Sequence, residues 1–149
     1  MPLKLKKNRD YKLLTYAGTL PLFIALILEI ILPRDFADYL KLPELVSKYS
    51  YMIIIFMCGT YWGVALEPSK HSKDIFILSN IYALIAFFCF LWLPERFLLH
   101  VAFSFFVILF FTDRKLRKKR MISRHYYHTR FNVTLLVLTA LGSYIYLAF

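Results

Sequence analysis

Glycine is scarce in this chain of 149 residues, and none of the four falls where a turn would use it. Gly18, Gly59, Gly63 and Gly142 all lie inside apolar runs, where glycine lets two backbones approach rather than supplying loop conformations. Cysteine is scarcer still. Cys58 and Cys89 also sit in apolar runs and neither has a CxxC neighbour, which leaves no zinc or redox motif to argue from and makes both small packing residues. Acidic side chains number nine against 19 Lys and Arg, a formal net charge of +10. Such an excess suits nucleic acid, but here the basic residues crowd the N-terminal tail and one loop, both directly flanking apolar segments. That distribution fits an anionic membrane surface and argues against a nucleic-acid partner. No cofactor or metal signature stands out.

What the chain has in abundance is hydrophobic sequence: 60% of residues are apolar and 19% aromatic, more than an average soluble domain carries. Five runs approach membrane thickness, at about 12–32, 47–66, 75–93, 97–112 and 129–149, with short connections. About 20 helical residues cross a hydrocarbon core, so the expected fold is all-α, one domain over 1–149, an integral bundle of five transmembrane helices. Pro33, Pro68 and Pro94 follow three of the runs, where proline cannot continue a helix. The fourth run is short and is expected to need tilt-free insertion or local bilayer thinning. The first begins like a signal peptide but is too long and has no small-x-small cleavage site, so it reads as a retained anchor.

Orientation follows from basic-residue counting. With five spans the N-terminal tail, the connection holding Lys70 and Lys73, and the segment from Arg114 to Arg130 share one side, which then carries 15 of the 19 basic residues. The N-terminus is therefore expected in the cytoplasm and the C-terminus outside. Arg117, Lys118, Lys119 and Arg120 are the densest part of that face and the candidate contact with anionic lipid headgroups. The following His125-Tyr126-Tyr127-His128 is expected to lie along the headgroups; its two histidines lack a third metal ligand.

Within the runs, Gly59 and Gly63 form a GxxxG on one face of the second helix, with Gly18 a further packing glycine. The pattern predicts a tight crossing by another helix of the same chain in preference to a dimer contact. Pro21, three residues after Gly18, predicts a kink in the first span. Polar residues at membrane depth are costly and mark where function is to be sought. Tyr16, Tyr61, Asn80, Asp113, Arg130 and Asn132, with Thr60, Tyr82 and Thr112 nearby, bring hydrogen-bonding groups to the cytoplasmic half of all five helices. The set is either an inward-facing polar pocket or a group of interhelical hydrogen bonds. Asp113 and Arg130 can pair across the hairpin joining the last two helices. Nearer the outer face, His100 and Ser104 share a helix face and Glu29 lies at similar depth, but no nucleophile elbow or oxyanion hole accompanies them. No catalytic residue is assigned.

Several of these residues together resemble the domain-of-unknown-function 3429 family: Tyr16-Ala17-Gly18 with Pro21, Tyr51 followed by Gly59-Thr60-Tyr61-Trp62-Gly63 with Ala65-Leu66, Asp113 after the fourth run, and the aromatic stretch leading to Arg130. The resemblance spans nearly the whole chain. It implies a short five-span protein of bacterial inner membranes, in a family that also takes in mitochondrial transmembrane protein 69, and it implies no established activity. The sequence departs from the pattern at Tyr61, where the family usually has histidine; tyrosine keeps a hydrogen bond but loses a proton titrating near neutral pH. The expected function is a non-enzymatic accessory or assembly factor of a bacterial cytoplasmic membrane, or of a mitochondrial inner membrane, binding lipids, other membrane proteins or itself. The alternative is a small oligomeric transporter or channel using the polar set and the kinked first helix, with a membrane-embedded enzyme third.

Overall fold

The computed structural model describes residues 9–148, the side chains of Arg9 and Asp10 excepted, and among them every regular element is helical. Seven helices follow in order: α1 (Arg9–Ala17), α2 (Leu20–Ile31), α3 (Arg34–Tyr39), α4 (Leu42–Ala65), α5 (Ser72–Trp92), α6 (Glu95–Lys118) and α7 (Arg124–Ala148). Lys4, Lys6 and Lys7 of the basic tail lie outside the described residues.

Among the described residues four stretches are long and apolar enough to cross a membrane: Tyr11–Ile31, Ser72–Trp92, Glu95–Lys118 and Arg124–Ala148. The second expected span, α4, is 24 residues long but falls outside this set. Its isoleucine-rich centre is diluted by Tyr49, Ser50, Tyr51 and by Gly59-Thr60-Tyr61-Trp62-Gly63, whose transfer to hydrocarbon is less favourable. Those residues reflect its place in the bundle. α4 packs against α2, α5 and α6 while α6 and α7 pair with each other and α7 also meets α1 and α2. The buried core takes Val46, Ile54, Cys58, Tyr61 and Ala65 from α4, Leu99, Ala102, Phe106 and Leu109 from α6, and Leu141 and Tyr144 from α7.

The kink expected near Pro21 takes the form of a two-residue interruption at Gly18 and Thr19, with Thr19 still in the right-handed helical region. α1 stops at Ala17 and α2 restarts at Leu20 with Pro21 in its first turn, a position that proline tolerates because the first amides of a helix have no intrahelical acceptor. Two hydroxyls serve the interruption: Thr19 Oγ1 donates to the Tyr16 carbonyl at 2.8 Å and Tyr49 of α4 donates to the Gly18 carbonyl at 2.7 Å. Gly18 thus serves as a backbone acceptor at the break.

At the other end of the bundle the fourth span proves longer than expected, because α6 continues through Asp113 to Lys118. The long basic loop expected from Arg114 to Arg130 shrinks to the residues between Lys118 and Arg124. Lys115, Arg117 and Lys118 form the last turn of α6, where cations are favoured by the helix dipole. Lys119 caps the helix and Arg120 takes a left-handed conformation, φ 58°. The Arg120 amide donates to Arg117 O at 3.1 Å and the Met121 amide to Leu116 O at 3.0 Å, the paired bonds of a Schellman turn. His125 to His128 belong to the first turns of α7 and not to the loop.

The GxxxG expectation also needs correcting. Gly59 and Gly63 are exposed, and a Cβ placed on either would meet nothing within 4 Å. Among the described residues no helix crosses there; the face of α4 that enters the bundle is the opposite one, carrying Cys58, Tyr61 and Ala65.

Candidate functional site

Arg130 enters the bundle from α7 six residues into that helix, and Asp113 lies five residues before the end of α6, so the α6–α7 turn sets them opposite each other. Arg130 Nε donates to Asp113 Oδ2 at 2.9 Å and Nη2 to Oδ1 at 3.3 Å, a fork-on-carboxylate geometry that only arginine supplies. Both are buried, at 6% and 3% exposure. α4 closes the site with two consecutive residues. Tyr61 donates its hydroxyl towards Asp113 Oδ1 at 3.0 Å and the Leu109 carbonyl at 3.2 Å, and Thr60 Oγ1 accepts from Arg130 Nη1 at 3.0 Å while donating to Met57 O at 2.7 Å. Tyr126, one turn before Arg130 on α7, accepts from the same Nη1 at 3.2 Å. The rings of Tyr61 and Tyr126 each lie 5.5 Å from the guanidinium carbon, within cation–π range. Three helices are thereby joined around one ion pair whose capacity is almost wholly used by its neighbours.

Further hydroxyl pairs surround it. Tyr82 of α5 donates to Thr112 of α6 at 3.2 Å, since the Thr112 proton is directed to Ile108 O. Ser79 of α5 donates to the Cys58 carbonyl of α4 at 2.6 Å. Tyr11 of α1 donates to Thr129 at 2.8 Å and stacks on Tyr126 with ring centroids 6.4 Å apart, which fastens the N-terminal helix to the same corner. On the opposite side of the bundle Tyr144 donates to Glu29 Oε2 at 3.0 Å, while Ser104 and His100 bond to carbonyls one turn back, His100 O at 3.0 Å and Arg96 O at 2.7 Å. Among the described residues no group of three or more His, Cys, Asp and Glu side chains is arranged to hold a metal ion.

The family model described as "Protein of unknown function (DUF3429)" matches residues 7–146 of the chain. The chain belongs to the DUF3429 family. No curated protein matches it, and no solved structure does. In this DUF3429 chain Tyr61, of the stretch Gly59-Thr60-Tyr61-Trp62-Gly63, is the residue that donates to Asp113.

Of the six residues expected to cluster, the structure unites Tyr61, Asp113 and Arg130. Tyr16 and Asn132 form a separate contact, Asn132 Nδ2 donating to Tyr16 Oη at 3.3 Å on the α1–α7 surface. Asn80 joins neither: it is exposed and its amide returns to Phe76 O of its own helix at 2.8 Å, because its position on α5 points away from α4 while Ser79 points inward. Tyr126 and Tyr11 were not expected in the site. The signal for Tyr126 was its i,i+4 spacing to Arg130, legible once α7 is known to start at Arg124. One buried side-chain polar atom among the described residues has no partner, the hydroxyl of Tyr51.

Proposed function

We propose that this DUF3429 protein is a five-span protein of a bacterial cytoplasmic membrane, with the N-terminus and the basic turns in the cytoplasm, and that it serves as a non-enzymatic accessory or assembly factor for other membrane proteins. The observation that carries the reading is where the polar groups at membrane depth are used. Asp113, Arg130, Tyr61, Thr60 and Tyr126 satisfy one another and hold α4, α6 and α7 together, so they act as a clamp within the bundle rather than as a vestibule for a solute. What the molecule offers outward is apolar helix surface. Gly59 and Gly63 form a bare strip on α4 beside the half-exposed Trp62, a surface that a helix from another chain can approach closely. The length of α4 and its packing on three neighbours support counting it as the fifth span. The basic end of α6 and the turn after it, Arg117 to Arg120, suit anionic headgroups of the cytoplasmic leaflet.

Native mass spectrometry of the chain extracted in mild detergent or nanodiscs tests this. A stoichiometric larger membrane complex, lost when Gly59 and Gly63 are both changed to leucine, is the expected result. A homo-oligomer that retains a small solute, with loss of flux in the same variant, would replace the accessory role with transport.

A further inference from the structure

The unpartnered hydroxyl of Tyr51 lies beside a cleft between α4 and α5. Tyr51 is 3% exposed, its ring sits 5.7 Å from that of Phe90, and it lines a groove of about 230 Å³. Lys48 stands at one end of the same groove, three residues before Tyr51 and so on the same helix face, ~4.5 Å further along the axis. Its ammonium pairs with Glu44, which also lies 3.8 Å from Lys41. Beyond Tyr51 the groove turns wholly apolar, with Met52 and Ile55 on α4 and Phe87 and Phe90 on α5. Ala86 forms its floor, and the small side chain leaves the space between the two helices open. Along one groove the order is therefore a lysine paired with Glu44, a tyrosine whose unpartnered hydroxyl is buried behind the groove wall, and an apolar trough. The cation lies at the end of the bundle away from the basic turn, where a lysine can extend its stem to the headgroup layer.

We propose that this groove binds one glycerophospholipid of the leaflet opposite the basic turn. Its phosphate meets Lys48, an ester carbonyl accepts from the Tyr51 hydroxyl, and an acyl chain lies along Met52, Ile55, Phe87 and Phe90. An ester oxygen only accepts, which is what a hydroxyl already lacking an acceptor requires. A water molecule could serve Tyr51 as well, but would make no use of the adjoining charge or the trough. The inference rests on α4 crossing the bilayer, as proposed above, and is independent of the accessory role.

The test uses the full chain, delipidated in detergent, with dioleoyl phosphatidylglycerol, diolein (the same chains without phosphate) and inorganic phosphate as separate probes. Native mass spectrometry is expected to show one phosphatidylglycerol retained, with neither diolein nor inorganic phosphate replacing it. Tyr51→Phe and Lys48→Gln are each expected to weaken retention about tenfold, the order of one hydrogen bond to a charged or desolvated group. Tyr51→Phe should leave the melting temperature of the lipid-free protein unchanged or raised, because it deletes an oxygen with no partner. Equal retention by both variants and the parent overturns the site, as does equal retention of diolein. A cysteine at position 55, introduced as Ile55→Cys with Cys58 and Cys89 changed to alanine, separates the two readings in vesicles. Protection of that cysteine from a membrane-impermeant maleimide upholds the span, so that failed lipid binding counts against the groove alone; labelling removes both.

Discussion

At Arg130 four hydrogen bonds leave one guanidinium for three side chains on two other helices and its own. Removing either member of the ion pair leaves an unbalanced charge in a place where the other partners cannot neutralise it. Asp113→Ala and Arg130→Ala are each expected to destabilise the bundle by about 3–5 kcal/mol, whereas Asp113→Ala combined with Arg130→Met should cost much less, as buried pairs replaced by apolar groups usually do. Denaturant unfolding in mixed micelles reads the difference, and additive costs would show that the two residues act separately. Arg130→Lys keeps the charge but loses the fork, and should fall between parent and Arg130→Ala. Tyr61→Phe removes one hydroxyl and keeps the ring against the guanidinium, so about 1 kcal/mol is expected. The pair itself was legible in the sequence because the two residues flank the connection between the last two apolar runs, one at each end. Tyr126 was not, since its membership depends on where α7 begins, and Asn80 was misplaced because depth alone does not say which way a helical side chain points.

Among the elements, α1–α2 and α4 illustrate how differently two sequence signals translate. Pro21 marked a disturbance, and the structure turns it into a break because Thr19 and Tyr49 can serve carbonyls there. Tyr49→Phe should leave the Gly18 carbonyl without its donor and cost about 1 kcal/mol, measured by the same unfolding assay; no loss would mean that the break is held by packing alone. Gly59 and Gly63 gave the opposite lesson. A small-xxx-small pattern specifies a face that something can approach, without saying whether it belongs to the same chain, and here the intramolecular neighbours lie on the other face. Gly59→Ala and Gly63→Ala should accordingly be neutral or stabilise the isolated chain by up to about 1 kcal/mol each, through helix propensity. A marked loss of stability in the monomer would reveal a packing role. The end of α6 was hidden for a related reason: the Schellman turn uses Arg120 at its left-handed position, where glycine would have announced it.

For the whole molecule the open question of architecture reduces to α4. Hydrophobic association is weak between helices already in lipid, so a polar, aromatic helix is a suitable centre for a bundle whose other members face outward. That same composition is what lowers its apolar character below that of Tyr11–Ile31, α5, α6 and α7. If α4 crosses, residues on either side of it lie on opposite faces of the membrane; if it does not, they share one. Single cysteines introduced as Asp35→Cys and Ser69→Cys, in a chain with Cys58 and Cys89 replaced by alanine, decide between the two. The five-span arrangement expects Asp35→Cys to react with an impermeant maleimide from outside intact cells, along with Glu95→Cys, and Ser69→Cys and Ser123→Cys to react only after the membrane is opened. Four spans without α4 would give positions 35 and 69 the same response. The basic residues favour the first outcome, because only with five spans do the tail, the Lys70–Lys73 connection and the α6–α7 turn meet one leaflet together, where each cation near an anionic surface contributes about 1 kcal/mol. With α4 left out of the membrane, the N-terminal tail would still lie opposite the first turn, but the connection after α4 and the end of α6 would move to the other face. The distribution of charge and the fate of α4 are therefore one question, and the four cysteines answer both.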